Sequence, residues 1–178
     1  MYSIWLNGLS GSGKTTLANN LMPHLMDLGY KVKLLDGDIL RKGLNNDLGF
    51  SLHDRKENIR RAAELNKLYH EEGYVLINSF ITPTEEIRSI ARNIITKDKL
   101  FEISLITPLD VCISRDPKGL YQLCKEGKIS DMTGLHSIFE PCVTYNTELD
   151  TSIHPISDCI KIILDELDEF LIDIPKNF

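Results

Sequence analysis

The sequence predicts an α/β fold: a central parallel five-stranded sheet with helices on both faces and a lid over one end. Three observations predict it. Short β-prone apolar runs alternate with stretches of helical periodicity, the pattern that lays strands side by side with crossover helices packed on the sheet. The first run leads directly into a glycine-rich octet, Gly8-Leu9-Ser10-Gly11-Ser12-Gly13-Lys14-Thr15, and then into a helix. Charged and polar residues gather just after the second and third strands, at the carboxyl end of the sheet where such folds bind ligands.

Residues 2–7 form the first strand. After the octet, apolar residues at 17, 18, 21, 22 and 25 have helical spacing. Residues 31–36 are the second strand. A helix is expected from about 51 to 70, with apolar positions 59, 62, 63, 65 and 68 and Gly73 marking its end. Residues 74–78 are a buried third strand. Pro83 opens the next helix, with the proline near its first turn. Residues 100–106 are the fourth strand, and 108–114 a short helix. Residues 116–141 carry Gly, Lys and Pro without clean periodicity. A fifth strand is expected near 144–149. An amphipathic helix over 155–171 closes the chain, with Ile156, Ile160, Ile163, Leu164 and Leu167 on one face.

The 178 residues suit a single domain spanning 1–178, with its lid at about 116–141. A hydrophobic content of 42% and a charged content of 26% are those of an ordinary globular protein. No apolar run reaches the length of a membrane span. The first strand begins at once and leaves no room for a signal peptide, so the expected location is cytoplasmic. Cys112, Cys124, Cys142 and Cys159 show neither C-x-x-C pairing nor zinc spacing, and read as thiols in a reducing compartment. A net charge of −6 argues against nucleic acid as the main partner. It still permits anionic substrates at a locally basic site.

The octet fixes a chemistry. It satisfies the phosphate-loop pattern G-x-x-x-x-G-K-[ST] and sits in the strand–loop–helix setting the pattern requires, which places the chain in the phosphate-loop (P-loop) NTPase fold. Backbone N–H groups from Gly8 to Gly13, Ser10, Gly11 and Ser12 among them, cradle phosphate oxygens. The helix N-terminus at Lys14, Thr15 and Thr16 adds partial positive charge. Lys14 reaches the β- and γ-phosphates, and Thr15 offers a hydroxyl to Mg²⁺.

Asp36-Gly37-Asp38 follows the second strand, where a carboxylate faces the γ-phosphate. One carboxylate can accept a proton from an attacking hydroxyl while the other holds Mg²⁺. The alternative is a solvated turn with a helix N-cap. Arg41, three residues on, suits bidentate recognition of a second substrate's phosphate. Glu57 and Arg61 have i,i+4 spacing. Lys118, with Arg115, Lys125 and Lys128, can close a lid that excludes water as a competing nucleophile; a plain surface loop of about twenty-five residues is uncommon. A GTPase switch would need an Asn-Lys-x-Asp motif, which does not occur at a suitable place. A non-catalytic ATP-binding module leaves Asp36, Asp38 and the lid together unexplained.

Several runs resemble the adenylylsulfate kinase family: Asp36–Ser51, Arg55-Lys56-Glu57-Asn58-Ile59-Arg60-Arg61, Phe80-Ile81-Thr82-Pro83, Asp116-Pro117-Lys118-Gly119-Leu120-Tyr121 and Thr133-Gly134. The order and spacing match from about residue 4 to residue 151. The resemblance implies a kinase that uses ATP with Mg²⁺. Such a kinase moves the γ-phosphate to the ribose 3′-hydroxyl of a nucleotide whose 5′ end is a mixed anhydride. It implies Asp38 as general base and Asp36, with Thr15, at the metal. Lys14 and Lys118 would act on phosphates, and Arg115 would lie against the ATP adenine. Arg41, Asn58 and Arg61 would hold the anionic end of the acceptor, with Ile81 and Thr82 lining it. Phe50 would stack on the acceptor base, and Gly119, Leu120, Met132 and Thr133 would approach from the lid. Relatives are often homodimers.

The chain departs from the family pattern at the acceptor side. Met132 stands where the family has a second base-stacking phenylalanine, a loss of roughly 0.5–1.5 kcal/mol of stacking. Ile39 replaces a common Asn, His136 a common Asp, and Thr82 a common Ser, and Phe139-Glu140-Pro141 is one residue shorter than the usual lid sequence. Met132, Ile39 and His136 together favour an offshoot of the family, found in capsule phosphoramidate pathways, that phosphorylates cytidine diphosphoramidate. The alternative acceptor is adenylylsulfate itself.

Overall fold

The computed structural model describes residues 1–170. The five strands are β1 (Ser3–Asn7), β2 (Lys31–Asp36), β3 (Tyr74–Phe80), β4 (Leu100–Leu105) and β5 (Thr147–Leu149). They form one sheet in the order β2-β3-β1-β4-β5, every neighbouring pair parallel. This is the sheet expected from the alternating pattern. β1 lies at its centre, so the loop that follows it opens between β3 and β4. Helix α1 (Lys14–Asp27) follows that loop, and α2 (Gly37–Arg41) follows β2. Helices α3 (Leu52–Glu71) and α4 (Glu85–Ile95) flank β3, and α5 (Leu109–Arg115) follows β4. Helix α6 (Leu120–Lys125) lies in the lid, and α7 (Ile156–Phe170) closes the described chain. Residue 171 of the expected last helix lies outside the described residues.

The alternation of side chains along the strands divides the core into two layers. Ile4, Leu6, Ile77, Phe101 and Ile103 face α1 and α7, meeting Leu17, Leu21, Leu25, Ile160 and Ile163. Trp5, Leu76, Phe80 and Leu100 face α3 and α4, meeting Ile59, Ala62, Ile87 and Ile95. A third cluster joins Leu9 of the glycine loop to Cys112, Tyr121, Cys124 and Met132, so the lid is rooted in the loop it covers.

Local chemistry sets the helix starts. Ser51 caps α3, accepting from the Asp54 N–H and donating to the Asp54 carboxylate. Thr84 caps α4 through the Ile87 N–H, so Pro83 stands ahead of the cap rather than in the first turn. Two helices were not foreseen, α2 and α6. Both are short, and their apolar positions are too few to show a period. Leu68, expected on the buried face of α3, is 61% exposed, because in the last turns of that helix Asn66, Tyr69 and His70 are the residues turned to the sheet. All four cysteines are free thiols. No helix among the described residues is long and apolar enough to cross a membrane.

Candidate active site

The loop after β1 is held from outside. The Ser12 N–H closes its turn on the Leu9 carbonyl at 3.2 Å. Tyr121 donates its hydroxyl to Ser10 O at 3.0 Å, Thr151 donates to Ser12 O at 2.9 Å, and Arg115 reaches Gly11 O at 3.3 Å. Carbonyls are thereby engaged on the outer side of the turn. Gly11 (φ +78°) and Gly13 (φ +94°) take backbone conformations that L side chains resist. At Gly11 a Cβ would also come within 2.7 Å of the Cys112 carbonyl oxygen.

Lys14 folds back over this turn, donating to Gly8 O at 2.8 Å and Leu9 O at 2.6 Å. Burial lowers its pKa to about 8, and the charge of Lys118 acts in the same direction. Thr15 donates its hydroxyl to Asp36 Oδ2 at 2.9 Å and lies 3.3 Å from Ser79 Oγ. Asp36 also caps α2, accepting the Asp38 N–H at 2.9 Å. Its cap role and its site role are therefore the same placement: one carboxylate oxygen fixes the turn that presents Asp38, and the other faces Thr15.

These three oxygen-bearing side chains are hard donors of the kind Mg²⁺ accepts. Among the described residues no group of three or more His, Cys, Asp or Glu side chains could hold a metal. In nucleotide sites Mg²⁺ takes most of its ligands from phosphate and water, and Thr15 and Asp36 are the side chains that would complete its set here.

A cavity of about 830 Å³ runs from the glycine loop to α3. At its phosphate end lie Ser10, Gly11, Gly13, Lys14, Thr15 and Thr16. Arg115 from α5, which reaches Gly11 O, joins that end, while Asp36, Asp38, Arg41, Phe50, Asn58 and Ile81 continue the lining toward α3, with Lys118 and Leu120 from the lid. Lys118 is ion-paired with Asp38, closing one side of the cavity. Arg41 donates to Leu48 O and Gly49 O and stacks over the Phe50 ring at 4.5 Å. Asn58 accepts from Asn45 at 2.9 Å.

Seven expected residues lie elsewhere. Gly8 and Ser12 are part of the loop but are buried and do not line the cavity. Gly119 caps α6 and does not line the cavity. Arg61 is turned away: both its terminal nitrogens meet the Asp47 carboxylate at 2.7 and 2.8 Å, and its Nε meets Glu57 at 2.9 Å. Two carboxylates satisfy it where a substrate phosphate was expected. Thr82 is fully buried, its hydroxyl without a hydrogen-bond partner among the described residues. Met132 is only 6% exposed, packs in the lid cluster with Leu9 and Tyr121, and does not line the cavity. Thr133 is buried and accepts from Arg55 at 2.9 Å.

Arg55 was not among the expected site residues, yet it lines this cavity and a smaller one of about 150 Å³ between Phe50 and the lid. Its position three residues before Asn58, on the same helix face, is the signal that could have found it. Ser79, Thr151 and His154 also line the large cavity. Ser79 was findable as a polar residue at the carboxyl end of a buried strand. Thr151 and His154, in the turn after the short edge strand β5, carried no local signal.

The family model described as adenylylsulphate kinase matches residues 1–150. The adenylyl-sulfate kinase of Bacillus licheniformis is 47% identical over 156 residues, covering 88% of this chain and 79% of the relative. That of Pseudomonas entomophila is 44% identical over 165 residues, covering 93% and 79%. Among solved structures, the Mycobacterium tuberculosis APS kinase CysC in complex with AMPPNP and APS superposes with a TM-score of 0.90. It is 36% identical and covers 94% of this chain and 97% of that one.

Proposed function

The chain belongs to the adenylylsulfate kinase family, a family of phosphotransferases acting on a hydroxyl acceptor, and on that premise we propose that it phosphorylates adenylylsulfate on its ribose 3′-hydroxyl at the expense of ATP. The observation that carries the proposal is the single cavity joining the phosphate loop to Asp38, Arg41, Phe50 and Asn58. It accommodates a donor phosphate chain at one end and a second anionic nucleotide at the other. The related enzyme with AMPPNP and APS bound supports the same reading.

Each residue's part follows from its place. The glycine-loop amides and Lys14 bind and orient the donor phosphates. Asp38 takes the proton from the 3′-hydroxyl as its oxygen bonds to the γ-phosphorus and the bond from that phosphorus to the bridging oxygen of ADP breaks, ADP leaving with the electron pair. Mg²⁺, when bound with ATP near Thr15 and Asp36, supplies positive charge against the phosphate oxygens. Arg41 and Arg55 offer planar guanidinium donors to the acceptor's anionic end. Phe50 offers a ring face to its base. The lid excludes water, so the phosphoryl group passes to the acceptor rather than to solvent. The single domain and a homodimeric assembly belong to the same proposal, the second measurable by light scattering.

The cytidine acceptor favoured by the sequence loses its footing. The relatives compared are adenylyl-sulfate kinases. Met132, the substitution that weighed most, is packed beneath the lid with Leu9 and Tyr121, so it does not stand in for a stacking ring. ADP release measured with adenylylsulfate and with cytidine diphosphoramidate at matched concentrations decides the matter. A preference of tenfold or more for adenylylsulfate is expected; equal turnover, or preference for the cytidine compound, overturns the proposal.

A further inference from the structure

Arg88, in the first turn of α4, is 1% exposed, and a charge taken wholly out of water needs partners that repay its desolvation. Its partners are backbone carbonyls from two separate segments. Nε donates to Thr82 O at 3.0 Å, one Nη donates to Pro141 O at 3.2 Å, and the other donates to Glu140 O. Glu85 Oε2 lies 3.5 Å away, and the ring of Phe139 sits under the guanidinium at 5.4 Å.

The same two segments are joined twice more without Arg88. The Glu140 N–H donates to Pro83 O at 2.7 Å, and the Glu85 N–H donates to the Glu140 carboxylate at 2.6 Å. One segment continues from Ile81, which lines the acceptor half of the cavity. The other is where the lid returns to the body of the protein.

We propose that Arg88 is a positioning residue for the acceptor, locking the Ile81–Pro83 wall to the exit of the lid so that the wall and the lid form one rigid unit. A planar fork places three diverging nitrogens on the carbonyls of Thr82, Glu140 and Pro141 in two segments at once, whereas a lysine would have to serve them from a single, shorter-reaching ammonium. None of Arg88's hydrogen bonds, ion pairs or ring contacts among the described residues goes to the donor half of the cavity, built on β1, α1 and α5. Its loss therefore acts on the acceptor and spares ATP.

The test uses the full chain and two variants, Arg88→Lys and Glu140→Ala. The kinetic arm rests on the acceptor proposed above; the exchange arm does not. Without ligand, amide hydrogen exchange in segments 81–87 and 139–146 is expected to quicken at least tenfold in Arg88→Lys, with the 8–15 loop unchanged. The KM for adenylylsulfate is expected to rise at least fivefold while the KM for ATP stays within twofold. Glu140→Ala, which removes only the lid-side carboxylate, is expected to move the same two readouts in the same direction by less, and it decides the question if Arg88→Lys does not fold. Unchanged exchange in both segments, or KM values for donor and acceptor rising together, overturns the inference. Absence of turnover with adenylylsulfate by the unaltered protein refutes the acceptor assignment and leaves the exchange arm to judge Arg88.

Discussion

Lys118 in the lid is ion-paired with Asp38 at the start of α2, eighty residues earlier in the chain. The side chains are 46% and 55% exposed, so the pair contributes at most about 1 kcal/mol to stability. Its weight is in the proposed function: it brings the lid's cation to the carboxylate proposed above as the proton acceptor. Asp38→Asn is expected to lower kcat by at least about 100-fold, the scale of a lost general base, with a melting temperature within a few degrees of the parent. Lys118→Met is expected to lower kcat by about tenfold or more and leave the fold equally intact. Steady-state ADP release and thermal melts check both. An Asp38→Asn enzyme turning over at the parent rate would remove Asp38 from the proton-transfer role.

Much of this site was legible because its parts are local in sequence. The octet at 8–15 and the acids at 36 and 38 each lie within one turn, so strand and loop together place them. Residues whose role depends on distant partners were not legible. Arg61 and Arg55 lie on one helix, and Asp47, outside that helix, draws Arg61 away. Met132 was read from the family resemblance as a stacking position, but Leu9, Tyr121 and Cys124 bury it. Helix α6 is only six residues long, and packing of Tyr121 and Cys124 against the glycine loop holds it where periodicity gave no warning.

Phe50 is 58% exposed, with Arg41 on its ring and Arg55 5.9 Å from it. A ring so placed contributes little to the core and is free to take a base. Phe50→Ala should therefore raise the acceptor KM by roughly 2- to 12-fold, the equivalent of about 0.5–1.5 kcal/mol of stacking, with kcat and ATP KM nearly unchanged. An unaltered acceptor KM would show that the base lies elsewhere.

Gly11→Ala should damage the donor site without abolishing the fold. The new methyl meets the Cys112 carbonyl at 2.7 Å, and the φ of +78° is costly for alanine. The loop must shift, and its amides lose their aim at phosphate. A loss of ATP affinity of at least tenfold is expected, with destabilisation of about 1–3 kcal/mol. Calorimetric titration with a non-hydrolysable ATP analogue and denaturant unfolding check the two halves separately.

His70 is expected to make the protein sensitive to mild acid. It sits at the end of α3, with Nε2 3.0 Å from Ser3 Oγ, beside the chain's amino terminus and Lys99. Burial, and then these two positive charges, lower its pKa to about 4, against about 6.5 when unfolded. Between those values the unfolded chain binds more protons than the folded one, so stability rises with pH through the window. The contribution is full above about pH 6.5 and is lost as pH falls toward 4. It is on the order of 2 kcal/mol after allowing for partial solvent access. Carboxylates titrate in the same range, so the comparison is with His70→Gln, which keeps a hydrogen-bonding side chain and cannot take up the proton. Denaturant unfolding at pH 4.5, 5.5, 6.5 and 7.5 should give a steeper loss of stability for the parent than for His70→Gln. Parallel curves for the two proteins would mean that His70 does not carry the acid sensitivity.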